Sequence, residues 1–146
     1  ALVTVDGFVS DFFLTPVGID DRTAVFELTE NKQSIKIIAD KGYIDNTLRN
    51  QLEIEKDILL ISLKRKNSKH PLEKRLRNVL SKTRRRVETS FSQLSERFNI
   101  NKVLAKSKWG LMLRITLEIL AHNISFIINH ILGNGKITQI KQLVFG

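Results

Sequence analysis

The chain has 146 residues, of which 42% are apolar; this is enough to bury a core and excludes a wholly disordered protein. It contains no cysteine, which excludes a disulfide framework, a thiolate zinc site and a cysteine nucleophile. The net charge of +9 is concentrated, because residues 64–86 carry +10 and the other 123 residues carry −1. Such a block indicates a polyanionic partner, either nucleic acid or an anionic membrane surface.

The first predicted elements are two strands joined by a tight turn. Residues 1–5 and 8–14 are rich in apolar, β-branched and aromatic side chains, and Asp6 and Gly7 separate them. Since both residues tolerate a positive φ, the pair predicts a hairpin with a type I′ turn. The N-terminus lacks the basic region of a signal peptide, and we interpret it as a strand cut in the middle.

Helices and strands alternate in the next segment. A helix over residues 21–30 is predicted after Asp20, and a second helix is capped by Asp45 and runs to about residue 55. Residues 35–39 and 58–63 are short apolar runs typical of strands buried on both faces. This order predicts an α/β fold whose mixed sheet contains the hairpin and two parallel strands.

The C-terminal half is predicted to be helical. Apolar residues recur every three or four positions over residues 72–98 and again over about 107–132, where Gly133 ends the second helix. We therefore expect one partial domain over residues 1–146, with a sheet region at 1–63, a basic loop at 64–71 and a helical region at 72–146.

The second long helix is apolar enough to raise the question of a membrane span. Arg114 and Glu118 interrupt its apolar residues, and each costs roughly 2.5–3.5 kcal/mol at the centre of a bilayer. The helix is therefore predicted to be a buried core helix. His122 and His130, eight positions apart on it, are predicted to be core histidines with satisfied hydrogen bonds.

Asp40 is the first candidate for chemistry, because it directly follows the buried strand at residues 35–39. The carboxyl ends of strands in open α/β sheets are where sites form, and a half-desolvated carboxylate there needs a cation or hydrogen bonds. The alternative is a turn in which the Asp40 side chain hydrogen-bonds the backbone on the way to Gly42.

Glu88 is the second candidate, on a predicted helix just after Arg84, Arg85 and Arg86. In the functional interpretation Glu88 is a metal-ligating carboxylate beside arginines that hold phosphates. In the alternative, Arg84 and Glu88 form only a surface pair at i, i+4, worth about 0.3–0.5 kcal/mol.

The basic loop is the third candidate. Lys64, Arg65, Lys66 and Lys69 have no aromatic residues between them, so they would contact phosphates without reading bases. The alternative is a solvated loop. The sequence contains no phosphate-binding loop, dinucleotide fingerprint, zinc motif or Ser/His/Asp signature.

In combination, several segments resemble the insertion-sequence transposases of the DDE superfamily. They are VDGFVSDFFLTP (5–16), IIADKGYID (37–45), KRKNSKHP (64–71), RRRVETSFSQLSERFNI (84–100) and AKSKWGLMLRITLEILAHNI (105–124). The resemblance implies a ribonuclease H-like fold, here truncated, with two long helices after the mixed sheet. It also implies three carboxylates that bind two divalent ions, normally Mg²⁺, for in-line displacement at phosphorus.

Matched by position, Asp40 corresponds to the second aspartate of this family and Glu88 to its glutamate, with Arg84 one turn earlier. Ser81 and Ser95 occupy positions where the family has tyrosine and lysine. The first aspartate has no counterpart, since it would lie on a strand upstream of the hairpin. Asp6, in the predicted turn, is a poor substitute, and Asp11 is a remote second choice.

The leading hypothesis is therefore that the chain is a fragment of a bacterial DNA transposase. The parent enzyme is expected to cut and join DNA, and this chain alone is expected to be inactive. The expected partner is DNA, both the transposon ends and the target. No membrane partner is expected, and the full-length protein is expected to assemble into homo-oligomers. The expected location is the bacterial cytoplasm, at the nucleoid. One alternative is a catalytically inactive remnant that binds DNA; another is an RNA or membrane-surface binder that uses only its charge.

Overall fold

The computed structural model describes residues 1–16, 18, 20–39, 45–62, 73–133 and 137–140. The chain divides into two compact units, a helical unit (Ala1–Phe12 with Arg86–Gly146) and a sheet unit (Phe13–Arg85). Its elements are β1 (Leu2–Val3), β2 (Val9–Asp11), α1 (Asp21–Leu28), β3 (Lys36–Ala39), α2 (Asn46–Lys56), β4 (Leu59–Ser62), α3 (Lys74–Arg97), a 3₁₀ turn (Ile100–Lys102) and α4 (Lys108–Ile131).

The predicted helices and the strands of the sheet unit are confirmed to within about two residues at each end. The two best-defined helix starts follow from side-chain capping, in which an oxygen accepts one of the free N–H groups of the first turn. Asp45 accepts from Thr47 N at 2.8 Å, and Ser107 accepts from Gly110 N at 3.0 Å. Gly133 has a φ of 66° directly after α4, as expected of a glycine that ends a helix.

The core of the sheet unit is aliphatic. It consists of buried side chains from α1, α2, β4 and the turn before β4: Val25, Leu48, Leu52, Ile58 and Leu60. The turn from α2 into β4 is made by Asp57, whose φ is 53° and whose N–H donates to Glu53 O at 3.1 Å. Lys56 Nζ donates to Thr29 O at 2.9 Å, next to the C-terminus of α1, where a positive charge is favourable.

The described strands form two sheets of two strands each, so the prediction of one mixed sheet is wrong for these residues. β1 and β2 are antiparallel, while β3 and β4 are parallel, with Ala39 opposite Ser62. Each described strand has a single hydrogen-bonded neighbour. Since β1 and β2 are only two and three residues long, they offer few backbone groups for pairing with a further strand.

The hairpin turn differs from its predicted type. Thr4 N donates to Phe8 O at 2.8 Å, and Gly7 N donates to Thr4 O at 3.0 Å, which is the pattern of a three-residue loop. Gly7 has a φ of 101°, but Asp6 is not among the residues with positive φ. A type I′ turn needs positive φ at both central residues, so the loop is a type I turn followed by a glycine bulge.

In the helical unit, the hairpin packs against α3 and α4 through its turn and through β2. Ser90 Oγ on α3 donates to Gly7 O at 2.8 Å, and a Cβ on Gly7 would lie 3.1 Å from both Ser90 and Phe126. On α4, the Asn123 carboxamide accepts from Val9 N at 3.1 Å and donates to Val9 O at 2.9 Å. Asn123 therefore pairs with β2 as another strand would.

His122 is fully buried at the centre of the helical unit, as predicted. Its ring lies 4.5 Å from that of Phe126, and its Nε2 is 3.1 Å from Gln93 Oε1. Gln93 Nε2 in turn donates to Thr138 O at 2.6 Å. Burial lowers the pKa of His122, and the hydrogen bond to Asn123 offsets part of that effect.

The prediction that α4 is buried is wrong, because only one of its sides is buried in the part of the chain that the structure describes. Ile115, Ile119 and Phe126 are buried, but only 17% of its most apolar window is buried. By length and composition alone, α4 is the one helix of the described residues that could cross a bilayer, which is weak evidence of a span. His130 is exposed, which corrects the prediction of a second core histidine.

Candidate metal and DNA-binding residues

Glu88 is exposed near the middle of α3, a continuous helix of 24 residues. The helix is fixed by its apolar side, from which Leu80 and Leu94 are each 1% exposed. Its first two turns are less packed than the sequence predicted, since Leu76 is 40% and Val79 is 53% exposed. The first two turns of α3 are therefore exposed to solvent, and Leu80 is the first buried side chain of the helix.

The basic residues of α3 lie on two sides of the helix. At 3.6 residues per turn, Arg77 and Arg84, which are eleven and four residues before Glu88, lie on the same side of the helix as Glu88. Lys74 and Arg85 lie beside them. The second side carries Arg75, Lys82 and Arg86. All of these side chains are exposed except Arg86, which is partly buried beside the Gly7 turn.

Arg84, Arg85 and Glu88 therefore lie on one stretch of α3, and their roles as phosphate and metal ligands stay a prediction. Arg84 precedes Glu88 by one helical turn, and all three side chains are exposed to solvent. A surface pair between Arg84 and Glu88 and a phosphate-binding role for the arginines both remain compatible with this spacing. Of the two positions that depart from the family pattern, Ser81 is exposed and Ser95 is partly buried.

Asp40, Lys64, Arg65, Lys66 and Lys69 lie outside the described residues. The strands that precede them are described: β3 comes before Asp40, and β4 comes before the basic loop. Ala39, the last residue of β3, pairs with Ser62, the last residue of β4, in a parallel register. The chain therefore leaves β3, before Asp40, and β4, before the basic loop, at the same end of the sheet. This end, at the carboxyl ends of the strands, is where sites form in α/β sheets.

The fit to a divalent cation rests on donor chemistry. Glu88 supplies the carboxylate oxygens that Mg²⁺ prefers, on a side chain that is exposed to solvent. Within the described residues, no three histidine, aspartate or glutamate side chains come together as a possible metal site. Asp6 lies in the hairpin turn, as predicted, and Asp11 is the last residue of β2, which ends earlier than the predicted strand.

A groove of about 490 Å³ lies in the helical unit beside the C-terminal half of α3, and it does not include Glu88. Its lining carries one carboxylate and one guanidinium among uncharged groups: Thr89, Gln93, Glu96, Arg97, Thr138, Gln139 and Ile140. The groove is therefore separate from the candidate metal ligand.

Two residues that sequence reasoning missed hold the hairpin against α3 and α4. Ser90, two positions after Glu88, is bonded to Gly7, and Asn123 on α4 holds β2. The only available signal was the presence of a serine and an asparagine next to apolar positions of two amphipathic helices. Their partners lie 83 and 114 residues away along the chain, and no local pattern identifies such partners.

Comparison with known proteins gives one match. The family model described as "Transposase DDE domain" matches residues 1–108. The matched range contains Asp40, the basic block and Glu88, and it ends where α4 begins. No curated protein and no solved structure matches the chain. Since the family model covers well over half of the 146 residues, the chain belongs to the transposase DDE-domain family.

Proposed function

We propose that this chain is part of the catalytic domain of a DNA transposase with a ribonuclease H-like fold, whose parent enzyme cleaves DNA and joins strands with two divalent ions. Asp40 and Glu88 are the proposed metal ligands. The observation that carries the proposal is the exposed Glu88 on the same side of α3 as Arg77 and Arg84, within a chain that belongs to the transposase DDE-domain family.

The proposed DNA contacts are electrostatic. Arg84 and Arg85 are exposed on α3 next to the candidate ligand, and the basic loop precedes the same helix. Guanidinium groups form bidentate hydrogen bonds with phosphate oxygens, which positions the DNA backbone without reading the base sequence. The proposed contacts therefore hold any duplex, and recognition of particular DNA ends has to come from other contacts.

The proposed metal site consists of oxygen donors alone, which suits Mg²⁺ or Mn²⁺. When bound, the ions supply an activated water or 3′-hydroxyl and stabilise the leaving oxygen. The part of this chain is to hold the ions with Asp40 and Glu88 and to place phosphates beside them with Arg84 and Arg85. Ser90 keeps the Glu88 turn of α3 against the hairpin, with Ser90 Oγ 2.8 Å from Gly7 O.

Of the three carboxylates that the resemblance implies, this chain supplies two by position. We therefore propose that it does not cleave DNA by itself, and we expect no product from supercoiled DNA with Mg²⁺. A second candidate function is a DNA-binding remnant without metal chemistry. The observation that favours it is the serine at each of the two departures from the family pattern, Ser81 and Ser95.

The DNA contacts are tested by the salt dependence of binding to a duplex of arbitrary sequence. Each lost phosphate contact reduces the slope of log K against log salt by about 0.9. Arg84→Gln with Arg85→Gln should therefore lower the slope by about 2. The matched control is Arg75→Gln with Lys82→Gln, which removes the same charge from the other side of α3. Equal slopes for the two double variants would contradict the proposed contacts.

Metal binding separates the two candidate functions. We expect Mn²⁺ to bind the wild-type chain, as measured by calorimetry, and expect Glu88→Gln or Asp40→Asn to weaken binding at least tenfold. Glu96→Gln, two turns further along α3, should leave binding unchanged. A chain that binds DNA normally but binds no Mn²⁺ would support the remnant instead.

A further inference from the structure

The exposed side of α4 carries a regular apolar stripe that the proposed function does not use. Six leucine and isoleucine side chains follow one another at intervals of four, three, four, three and four residues, and each is 42–74% exposed: Leu113, Leu117, Leu120, Ile124, Ile127 and Ile131. We refer to these six residues as the α4 seam. The buried side of α4 is a separate stripe that includes Ile115, Ile119 and Phe126.

The spacing of the α4 seam identifies the kind of partner. Apolar residues that alternate at three and four positions are the a and d positions of a heptad repeat, whose side chains insert between those of another helix. A sheet or an irregular surface does not require this period. The charged residues in the first half of α4, Arg114 and Glu118, lie off the seam, so a second helix can approach it without burying either charge.

We infer that the α4 seam is an interface at which α4 of one chain pairs with α4 of a second copy in antiparallel orientation. The seam is complementary to itself in that orientation. Leu113 of one copy lies opposite Ile131 of the other, Leu117 opposite Ile127, and Leu120 opposite Ile124. Every seam residue thus has an apolar partner. The two-fold axis crosses the seam between Leu120 and Ile124, at the level of residue 122 along the helix.

Charge complementarity selects the antiparallel orientation. The N-terminus of α4 is flanked by the exposed Lys106 and Lys108, and its first turn has no acidic residue. These lysines are unfavourable beside the positive end of their own helix dipole. In an antiparallel pair they lie beside the negative C-terminal end of the partner helix, whereas a parallel pair would bring four lysines together.

The area available is suited to a dimer. The six seam side chains offer roughly 300 Å² per copy, at about 100 Å² for a fully exposed aliphatic side chain. Trp109, Ile128 and Leu132, which are 75%, 41% and 59% exposed, raise this to roughly 500 Å². This patch is as large as the largest apolar patches on monomers, and flanking polar atoms have to supply the rest of the ~800 Å² per partner of a standard interface.

A bilayer is the competing occupant of this side, and the charges on α4 disfavour it. Arg114 and Glu118 lie one helical turn apart in the first half of the helix, where a spanning segment would have to bury both. The seam also covers only part of the circumference, since the opposite side packs within the helical unit.

The test is the mass of the intact chain in solution, measured by light scattering during size-exclusion chromatography. We expect a dimer whose dissociation constant rises at least a hundredfold in Ile124→Glu. The control is Met112→Glu, on the same helix, where the side chain is 37% exposed and lies off the seam. The control should remain a dimer, and circular dichroism should show equal helix content in all three proteins.

Orientation is tested by cross-linking, which the absence of native cysteine makes direct. A mixture of Leu113→Cys and Ile131→Cys chains should form a mixed disulfide dimer, whereas either variant alone should not. Disulfide formation in each variant alone would overturn the antiparallel arrangement.

A wild-type chain that remains monomeric at its highest soluble concentration would overturn the interface itself. Binding of the wild-type chain to phosphatidylcholine vesicles that is lost in Ile124→Glu would assign the seam to a bilayer instead. None of these outcomes depends on DNA or metal binding, so the inference can fail without affecting the proposed function.

Discussion

The sheet unit and the helical unit are held together by different kinds of interaction. The sheet unit has an aliphatic core, in which Leu52 and Ile58 are at most 1% exposed. The only buried polar side chain among the described residues of the sheet unit, Thr29, bonds to its own helix. In the helical unit, the buried Ser90 and His122 and the partly buried Asn123 bond to one another or to the hairpin backbone. Apolar burial is non-directional, whereas each of these hydrogen bonds requires one geometry.

The difference indicates which unit fixes the positions of its side chains more precisely. A core such as that of the sheet unit tolerates replacement of one aliphatic residue by another of similar volume. In the helical unit, a displaced hairpin would leave Asn123 and the backbone of Val9 without partners, which is costly for buried groups. The turn of α3 that carries Glu88 is therefore fixed by the directional contact of Ser90, as the proposed metal-binding role of Glu88 requires.

The largest expected effect tests the apolar half of this comparison. Leu52→Ala should lower the free energy of unfolding of the sheet unit by about 3 kcal/mol, because it removes buried methyl groups and leaves a cavity. Amide hydrogen exchange in β3 and β4 reports the loss as roughly a hundredfold faster exchange. Ile54→Ala, on the same helix but 84% exposed, is the control and should leave exchange within twofold. Similar effects of both substitutions would contradict an aliphatic core at Leu52.

The next effect tests the polar half. Asn123→Ala should lower the stability of the helical unit by about 2 kcal/mol, since it leaves both backbone groups of Val9 without their partner. Exchange of the Val9 amide should accelerate most strongly, because that N–H bonds to the carboxamide directly. Asn101→Ala, at an exposed position of the 3₁₀ turn, should have little effect. Unchanged protection of Val9 in Asn123→Ala would show that the hairpin does not depend on this contact.

The smallest effect concerns the pH dependence of the helical unit. The pKa of His122 in the folded protein lies below its ordinary value of 6.5, because burial disfavours the charged ring. Below pH 6.5 the unfolded chain therefore binds a proton that the folded chain does not, and stability falls as the pH decreases, by at most about 1.4 kcal/mol per pH unit.

His122→Gln should remove this dependence, and His130→Gln, which alters an exposed histidine on the same helix, should retain it. Urea unfolding at a series of pH values between 5 and 8 measures the slope. A wild-type protein that becomes more stable as the pH falls through this range would contradict a buried neutral His122.

Much of the local structure could be predicted from sequence, because it depends on local signals. Asp45 caps the helix assigned to it, α4 begins next to Ser107 as predicted, and the short apolar runs became β3 and β4. The turn type failed because the Asp-Gly pair is compatible with more than one loop, and only Gly7 adopts a positive φ.

What surrounds an element was harder to predict than the element itself. Composition predicted α4 as a core helix, but composition does not show how much of a helix circumference finds a partner. His122 and His130 were treated alike, although eight residues turn the helix about 80° beyond two full turns. Only His122 falls on the side of Ile119 and Phe126. The candidate site followed from motif resemblance, whereas its support by Ser90 depends on a contact 83 residues away.

The central claim is that Asp40 and Glu88 hold divalent metal ions together, and localised cleavage of the chain tests it most directly. Iron(II) binds oxygen-ligand sites that accept Mg²⁺, and with ascorbate and peroxide it generates radicals that cut the nearby backbone. We predict two cuts, near residue 40 and near residue 88, both suppressed by excess Mg²⁺ and both lost in Glu88→Gln. Cleavage at only one of these positions, or cleavage at both that persists in Glu88→Gln, would contradict a shared metal site.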